Sequence, residues 1–488
     1  MSAIKRLFVA NRGEIAVRIL RACEQLGIES VVAVSEIDRN TLAAQMASRA
    51  VCIGPPAASQ SYLRAETLVA AALGSGCQAI HPGYGFLSER PAFARMCERA
   101  GLLFVGPRPE SIEAMGEKLA AVRLAEQAGV ARVPGSGRIE RAEEAHRAAD
   151  RIGFPVLIKA SAGGGGRGMR LVQAADDLAG ALDSAASEAR AAFGDPTVYI
   201  EKFIGRARHV EVQVLGDSHG RIVHLGERDC STQRRYQKLI EEAPSPVIGD
   251  RVRRRMSEAA VRLAREVAYR SAGTVEFVYD PLTRDFFFLE MNTRIQVEHP
   301  VTEMVTGRDL VVEQIRIAAG EPISFAQEEV ELRGHAIECR INAEDPASNF
   351  MPCPGAIRTW SPPPTGNGVR LDTHCYADYV VPPHYDSLLA KLIVHGRDRN
   401  SAIQAMGEAL AGFHVSGVAT TIPFHQAVLG HDDFRNAAIH TRWVDQEFMP
   451  GSLPPNSSAP RPSAPNSSAP KSLPPEPVAE AALVRAAR

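Results

Sequence analysis

Short strand patterns alternate with helical patterns through the first part of the chain, and this alternation most constrains the possible fold. Apolar runs that fit buried strands lie at residues 7–10, 31–34, 51–53, 79–80 and 102–105. A helical pattern from Glu14 to Leu26 separates the first two, and another helix is predicted from Ser111 to Ala128 with Lys118 on it. Strands that alternate with helices predict a doubly wound parallel sheet, so we expect an α/β domain at residues 1–115.

A predicted hairpin further along the chain brings two glutamates together. Residues 273–279 fit a strand, and a turn and an aromatic second strand follow. If the hairpin is symmetric about Thr283, Glu276 faces Glu290 with Cβ atoms about 5 Å apart. Two carboxylates and the amide oxygen of Asn292 form an oxygen-only ligand set, which suits Mg²⁺ better than Zn²⁺.

Polar and apolar residues alternate from Glu290 to Glu298. The plain interpretation is a half-buried strand with one face in water. Eight residues of extended chain reach up to about 26 Å, so the two glutamates are too far apart for one shared role. Either Glu298 has a different role, or the chain turns back between them.

A glycine-rich loop joins two predicted strands in the middle of the chain. Residues 154–159 fit a strand that ends in Lys159, residues 160–168 form the loop, and residues 169–172 fit the next strand. Backbone amides of such a loop can bind phosphate oxygens, although a flexible linker has the same composition. The sequence does not match the P-loop pattern. A mobile lid over nucleotide phosphates fits better, with Lys159 contributing positive charge.

Three further stretches leave alternatives open. Glu201 and Lys202 form either a surface ion pair, which their spacing favours, or a donor and acceptor edge for a purine. The segment His81–Glu89 is either a structural turn or a ligand-binding connection at a strand end. The segment Arg228–Lys238 is either an exposed basic loop or an anion site.

Charge and cysteine content narrow the class of protein. Lysine plus arginine, 55, nearly balances aspartate plus glutamate, 57, which gives no argument for nucleic acid or an anionic membrane as a partner. The eight cysteines show no C-x-x-C pair and no zinc spacing, so we expect reduced thiols in a cytoplasmic protein. The apolar run near the N-terminus is too short for a signal peptide, and no segment approaches the roughly 20 apolar residues of a membrane span.

The remaining sequence predicts two more domains and a tail. We expect one domain at 116–332, with its lid at about 133–204, and an α+β or barrel-like domain at 333–448. Residues 449–488 are rich in proline, serine and alanine. Such a composition buries too little apolar surface to offset ordering, so a disordered tail is predicted.

Several of these motifs, taken together, closely resemble the biotin carboxylase family, the ATP-grasp component of biotin-dependent carboxylases. The motifs are Ala10–Ala16, His81–Glu89, Gly163–Met169, Glu290–Pro300 and Glu338–Pro346. The resemblance extends to about Phe448. It implies a pre-ATP-grasp sheet, an ATP-grasp domain with a mobile glycine-rich lid, and a C-terminal α+β barrel-like domain, in an enzyme of the acetyl-CoA carboxylase type.

The resemblance also implies a chemistry: carboxylation of a biotin ureido nitrogen with ATP and bicarbonate, through carboxyphosphate, with Mg²⁺ or Mn²⁺. Glu298 matches the general base, Arg340 the group that stabilises the biotin enolate, and Lys238 a residue near the transferred phosphoryl group. The metal ligands implied are Glu276, Glu290 and Asn292. The bicarbonate and biotin contacts implied are Arg294, Gln296, Val297, Glu298 and Arg340.

The nucleotide contacts come from several parts of the sequence. In addition to Glu276 and Glu290, they are Lys118, Lys159, Gly164, Gly165, Gly166, Glu201, Lys202, Ile204, His209, Gln233 and Tyr236. Tyr236 stands where the family often has histidine beside the ribose, and Ala162 stands where glycine is usual. The γ-phosphate and bicarbonate must meet within about 3.5 Å. We therefore expect a bend between the metal end and the bicarbonate end of the Glu290–Glu298 stretch.

The resemblance implies partners as well. Arg18, Arg21 and Asp386 match residues at or coupled to a homodimer interface. The sequence contains no Ala-Met-Lys-Met biotinylation site, so biotin is expected on a separate carrier protein, with carboxyltransferase subunits as further partners. Two alternatives remain: another ATP-grasp ligase that forms an acyl phosphate, and a catalytically silent nucleotide-binding assembly protein.

Overall fold

The computed structural model of this protein describes residues 4–139, 141–161 and 169–449. The predicted glycine contacts Gly164, Gly165 and Gly166, as well as Ala162, lie outside these residues. So does the predicted tail, apart from Met449. None of the described cysteines forms a disulfide. Among the helices of the described part, none is long and apolar enough to cross a membrane.

The N-terminal part contains a parallel sheet. Its strands are β1 (Arg6–Val9), β2 (Glu29–Val34), β3 (Arg49–Cys52), β4 (Ala79–His81) and β5 (Leu103–Phe104), and its helices are α1 (Gly13–Gln25), α2 (Leu42–Met46), α3 (Ala65–Gly74) and α4 (Pro91–Arg99). The strand order is β3, β2, β1, β4, β5, and all pairs are parallel. Leu7 and Val9 pack with α1 on one face, whereas Phe8 packs with α3 and α4 on the other. The predicted doubly wound sheet is confirmed.

The predicted single helix from Ser111 to Ala128 is wrong. Two helices occupy this stretch, α5 (Pro109–Gly116) and α6 (Lys118–Gln127). Glu117 separates them with extended backbone, at φ −93° and ψ 114°. Apolar residues keep their helical spacing across the break, which is why periodicity alone did not reveal it.

A separate small sheet carries the predicted lid. It consists of β6 (Val156–Ala160), β7 (Arg170–Val172) and β8 (Val198–Lys202), which lie antiparallel in the order β7, β6, β8. Helices α7 (Ala142–Ile152) and α8 (Leu178–Phe193) pack against it through small residues such as Ala149 and Ala185.

A large antiparallel sheet forms the centre of the molecule. The next elements are β9 (Arg208–Gly216), β10 (Ile222–Arg234), β11 (Gln237–Ala243), α9 (Asp250–Glu266), β12 (Ser271–Asp280), β13 (Asp285–Asn292), α10 (His299–Thr306) and α11 (Leu310–Ala318). The C-terminal elements are β14 (His335–Asn342), β15 (Glu344–Asp345), β16 (Met351–Pro352), β17 (Gly355–Ala356), β18 (Thr359–Ser361), β19 (Val369–Thr373), β20 (Val380–Val381), β21 (Leu388–Gly396), α12 (Arg399–Ala411), β22 (His414–Ser416), α13 (Ile422–Gly430) and α14 (Asp432–Arg435), followed by a π-helix at Val444–Phe448.

Eight strands form this sheet, in the order β13, β12, β9, β10, β11, β14, β21, β19. The pair β11 and β14 crosses the domain boundary expected between residues 332 and 333, with Ile240 opposite Cys339. The ATP-grasp part and the C-terminal part thus share one sheet, and the predicted domain bounds stay a prediction.

The predicted hairpin is formed by β12 and β13, and Glu276 pairs with Glu290 as expected. Nearer the turn, Phe277 pairs with Phe288, so the register shifts and Leu289 is left between the two pairs. The expected pair is therefore right, but a single centre of symmetry is wrong. The extra residue, Leu289, forms a β-bulge, which the sequence pattern did not reveal.

Strand β13 ends at Asn292, and the chain bends at Thr293 and Arg294 before α10 begins. The half-buried strand over the whole Glu290–Glu298 stretch is therefore wrong, and the expected bend is confirmed. Because of this bend, the polar side chains before it and those after it face the same cluster of charged residues.

Candidate active site

Lys238 lies at the centre of a buried cluster of charged side chains. Its Nζ lies 2.6 Å from Glu211 Oε2, 2.9 Å from Glu276 Oε1 and 2.6 Å from Glu298 Oε1. Glu211 and Glu276 are cross-strand partners on β9 and β12. Burial lowers the pKa of Lys238, but the three carboxylates outweigh burial and hold that pKa well above its ordinary value.

Glu298 is held between two cations. Lys238 donates to one carboxylate oxygen, and Arg340 Nη2 donates to the other at 2.9 Å. Arg340 is itself fixed by Glu241, whose Oε1 accepts from Arg340 Nε at 2.6 Å. Burial raises the pKa of Glu298, but Lys238 and Arg340 outweigh it and hold the pKa well below its ordinary value. Glu298 therefore stays ionised.

The predicted metal end of the site consists of the two facing glutamates and Asn292. Glu276 Oε1 accepts from Asn292 Nδ2 at 2.9 Å, and Glu276 Oε2 lies 3.0 Å from His209 Nε2. Burial raises the pKa of Glu276, but Lys238 and His209 outweigh burial and hold that pKa below its ordinary value, so Glu276 is ionised. Burial and the charge of Glu276 raise the pKa of Glu290. A divalent cation between the two would favour ionised Glu290, so the donor set fits Mg²⁺.

The bend after β13 is held by Arg294. Its Nη2 donates to Asn292 Oδ1 at 3.0 Å and its Nη1 to Gln296 Oε1 at 2.7 Å, while its Nε donates to Glu89 Oε2 at 2.8 Å. Gln296 Nε2 also donates to Glu276 Oε1 at 3.1 Å. The structure thus brings together the metal end and the predicted bicarbonate contacts. Planar guanidinium and amide groups beside a carboxylate suit a small planar oxyanion.

The lid residues make contacts that the sequence did not predict. The ion pair between Glu201 and Lys202 that spacing favoured is wrong, since neighbouring residues on a strand point to opposite faces. Glu201 pairs instead with Lys159 across β6 and β8. Lys202 Nζ donates to the carbonyl oxygens of Gly153 at 2.9 Å and Phe154 at 3.2 Å.

The other predicted nucleotide residues lie on several elements. Lys118 is exposed at the start of α6, and Ile204 is half-buried just after β8. Gln233 is buried opposite Lys238 in the β10–β11 ladder, and its Nε2 donates to the Cys230 carbonyl at 3.1 Å. Tyr236 lies in the turn of that hairpin with φ 68° and is 59% exposed.

The exposed basic loop considered for Arg228–Lys238 is wrong, because all of these residues except the turn residues Arg235 and Tyr236 belong to β10 and β11. Arg228 is fully buried. Its Nε donates to Glu211 Oε1 at 2.5 Å and its Nη1 to Gln213 Oε1 at 2.7 Å. Glu211 therefore connects this arginine to Lys238.

Several charged residues of the site were missed from the sequence. They are Glu89, Glu211, Glu241, Glu338 and Lys391. The alternating pattern from His209 to Val214 places Glu211 on the same face as His209, so that signal could have found it. Both carboxylate oxygens of Glu338 are buried without a hydrogen bond to the described residues. Burial raises the pKa of Glu338 well above its ordinary value and that of Glu241 to about 7.

Three family models match successive segments of the chain. "Biotin carboxylase, N-terminal domain" matches residues 3–112, "Carbamoyl-phosphate synthase L chain, ATP binding domain" matches residues 117–326, and "Biotin carboxylase C-terminal domain" matches residues 338–446. Biotin carboxylase 1 of Bacillus subtilis is 52% identical over 450 residues, which are 92% of this chain and 100% of the relative. The chain belongs to the biotin carboxylase family. The predicted resemblance is confirmed, and the alternatives of another ligase and a silent assembly protein fall away.

Other relatives and solved structures agree with this family. Biotin carboxylase of Nostoc sp. is 54% identical over 442 residues, which are 90% of this chain and 98% of the relative. The biotin carboxylase domain dimer of the Hydrogenobacter thermophilus 2-oxoglutarate carboxylase was solved with MgADP, ADP and bicarbonate. It is 47% identical with a TM-score of 0.85, over 91% of this chain and 98% of that chain.

A larger enzyme contains the same unit. Rhizobium etli pyruvate carboxylase is 42% identical with a TM-score of 0.83, and the match covers 91% of this chain but 40% of that chain. As a member of the biotin carboxylase family, this chain is an ATP-dependent ligase that carboxylates biotin with bicarbonate. ATP and bicarbonate are its small-molecule substrates and Mg²⁺ is its cofactor, which confirms the prediction.

Proposed function

We propose that Glu298 is the base of the biotin carboxylase reaction and that the cluster around it carries out the bicarbonate chemistry. The observation that carries this proposal is the placement of an ionised, buried Glu298 between Lys238 and Arg340. Arg294 and Gln296 hold bicarbonate beside it, and Glu298 takes the bicarbonate proton. The resulting carbonate oxygen attacks the γ-phosphorus of ATP, which forms carboxyphosphate and releases ADP.

Lys238 offsets the negative charge that develops at the transferred phosphoryl group, since its ammonium is already fixed by three carboxylates of the site. Glu276, Glu290 and Asn292 would hold Mg²⁺, which would supply further neutralisation of the phosphate charge. Carboxyphosphate then breaks down to CO₂ and phosphate. The phosphate released in this step takes the proton of the biotin ureido nitrogen. Arg340 stabilises the negative oxygen of the resulting biotin enolate, and the ureido nitrogen attacks CO₂.

The nucleotide is assigned to residues of the lid sheet and of the large sheet. Lys118, Lys159 and the glycine loop serve the phosphates, Glu201 and Lys202 serve the adenine, and Tyr236 lies by the ribose. The other nucleotide residues are Ile204, His209 and Gln233. Supporting this assignment, Lys159 and Glu201 lie on paired lid strands, and Gln233 lies opposite Lys238. Nucleotide phosphates would draw Lys159 away from Glu201, because they carry more negative charge.

We also infer a homodimer that receives biotin on a separate carrier protein and works with carboxyltransferase subunits. The dimer of the Hydrogenobacter thermophilus domain supports the first part of this inference. Arg18 is buried within its own chain and binds Glu303 and Asp309 at 2.9 Å and 2.6 Å, whereas Arg21 is partly exposed. Arg18 is therefore assigned an indirect role at the interface. The cytoplasmic location remains a prediction from the cysteine pattern.

The variant Glu298→Gln tests the base. Loss of a general base lowers rates by about 10²–10⁴-fold. We expect a loss of this size in bicarbonate-dependent carboxylation of free biotin, measured with radiolabelled bicarbonate, while MgATP binding measured by calorimetry stays within twofold. The exposed Glu24→Gln serves as the matched control and keeps both properties. Undiminished carboxylation in Glu298→Gln would refute the role of Glu298.

A further inference from the structure

We propose that Lys391 is a positioning residue for the bicarbonate turn, defined as residues Thr293–Glu298. It acts on the reaction through the carbonyl oxygen of Val297 rather than by touching substrate. This inference rests on the bicarbonate role proposed above for the turn. It also assigns a structural role to two N-terminal motifs, Ala10–Ala16 and His81–Glu89, whose roles the sequence left open.

Lys391 lies on β21 and is 0% exposed. Its Nζ donates to the Val297 carbonyl oxygen at 2.9 Å and lies 3.1 Å from Glu14 Oε1 and 3.9 Å from Asp372 Oδ2. A buried ammonium is costly unless charged and polar partners surround it. Lys391 therefore ties three separate segments together: the start of α1, β19 and the bicarbonate turn.

The carbonyl that Lys391 holds is well placed to orient the base. The peptide between Val297 and Glu298 is planar, so fixing its oxygen fixes the plane from which the Glu298 backbone continues. Glu298 immediately precedes α10, whose residue Val301 donates its N–H to the Glu298 carbonyl at 3.3 Å. The Glu298 backbone is thus held on both sides, by Lys391 and by the first turn of a helix.

The N-terminal motifs hold Lys391 from the other side. The Tyr84 hydroxyl donates to Glu14 Oε1, the same oxygen that faces Lys391. Asn11 Nδ2 in turn donates to the carbonyls of Pro82 at 2.6 Å and Tyr84 at 2.7 Å. The motifs Ala10–Ala16 and His81–Glu89 therefore converge on this one lysine.

The opposite end of the bicarbonate turn is held by the same N-terminal loop. Glu89 Oε1 accepts from the Thr293 backbone N–H at 3.2 Å, and Glu89 Oε2 accepts from Arg294 Nε at 2.8 Å. The turn is consequently clamped at its first residues by Glu89 and near its last by Lys391. Arg294 and Gln296, the side chains assigned to bicarbonate, lie between these two supports.

Lys391→Met tests the proposal with bicarbonate-dependent ATP hydrolysis. Misplacement of a reacting group by about 1 Å can cost on the order of 10²-fold in rate. We expect the KM for bicarbonate to rise at least tenfold and kcat to fall, while the calorimetric Kd for MgATP stays within twofold. Lys391→Arg should recover part of the activity, because a guanidinium can still donate to the Val297 carbonyl.

Arg370→Met is the matched control. Arg370 belongs to the same buried charge cluster, where it binds Glu303 at 2.7 Å and Asp372 at 2.7 Å, but it makes no hydrogen bond to the bicarbonate turn among the described residues. A purely structural role of Lys391 predicts that both variants change melting temperature and bicarbonate KM to the same extent. That outcome, or an unchanged bicarbonate KM in Lys391→Met, would overturn the proposal.

If Lys391→Met does not fold, Glu14→Gln carries the test. Glutamine still accepts from Tyr84 but removes the charge that anchors Lys391, so a smaller rise in bicarbonate KM is expected, and an unchanged KM overturns the proposal. A wild-type protein without bicarbonate-dependent ATP hydrolysis would instead refute the proposed function itself. An active wild type with an unaffected variant refutes only the positioning role.

Discussion

At the scale of single residues, burial alone does not decide the charge state of a carboxylate. Glu276, Glu298, Glu241 and Glu338 are all buried, yet the pKa of the first two is lowered and that of the last two is raised. The difference lies in the balance between the cations and the other carboxylates around each group: Glu241 accepts a hydrogen bond from Arg340, but burial and the charge of Glu298 outweigh that cation. Glu276 and Glu298 receive direct hydrogen bonds from Lys238, whereas Glu338 has no hydrogen-bond partner among the described residues.

Buried histidines predict how stability depends on pH. Burial lowers the pKa of His81 and His374 to about 3 and that of His425 to about 4. The unfolded chain protonates its histidines near pH 6.5, whereas the folded chain keeps these three neutral. Stability is thus fully present above pH 6.5 and is lost as pH falls, by about 2 kcal/mol per histidine between pH 7 and pH 5.

Denaturant unfolding of His374→Gln at both pH values measures this effect. At pH 7 the variant is expected to be less stable than wild type, because it loses the packing of the ring. Between pH 7 and pH 5 its free energy of unfolding should fall by about 2 kcal/mol less than that of wild type. Equal pH dependence in the two proteins would contradict the prediction.

At the scale of elements, the β12–β13 hairpin shows how local irregularities place functional groups. Its turn is exposed, with Leu282 86% accessible, and the bulge at Leu289 separates the turn from the Glu276–Glu290 pair. A shift of one residue reverses the face to which every later side chain points. The bulge therefore decides that Glu290 faces Glu276.

Two insertions test this role of the bulge. A glycine inserted after Leu282 should leave Mg²⁺-dependent ATP binding within twofold of wild type, since the turn can absorb it. An alanine inserted between Leu289 and Glu290 should weaken that binding at least tenfold, because it turns Glu290 away from the metal end. Calorimetric titration of MgATP measures both, and equal effects of the two insertions would show that the register is unimportant.

At the scale of the whole molecule, the site lies where three parts of the chain meet. The large sheet runs without interruption from β13 to β19 and joins the ATP-grasp part to the C-terminal part. The N-terminal loop contributes Glu89 and the C-terminal part contributes Lys391 and Arg340. The lid sheet, by contrast, shares no strand with the large sheet.

This arrangement predicts which parts unfold together. Backbone amides of β11 and β14 should exchange hydrogen with the same opening free energy, since they belong to one ladder across the expected domain boundary. Amides of β6 in the lid should open at a lower free energy, because that small sheet carries its own core. Hydrogen exchange with mass spectrometry at increasing denaturant measures both, and separate opening of β11 and β14 would contradict the prediction.

Four features could be predicted from residue patterns alone: the parallel N-terminal sheet, the Glu276–Glu290 hairpin pair, the bend before Glu298 and the family. These features depend on the spacing of residues close together in the sequence and on short contiguous sequence motifs. Residue patterns did not predict three other features: the break at Glu117, the bulge at Leu289 and the pairing of Glu201. In each case tertiary packing overrides local periodicity.

The pairing of the buried charges depends on contacts between residues far apart in the sequence. Lys238 meets Glu211, Glu276 and Glu298 across sequence separations of 27, 38 and 60 residues. Lys391 reaches Val297 across 94 residues. No local pattern encodes such contacts, since they depend on which strands become neighbours in the large sheet and on how the N-terminal loop packs against it.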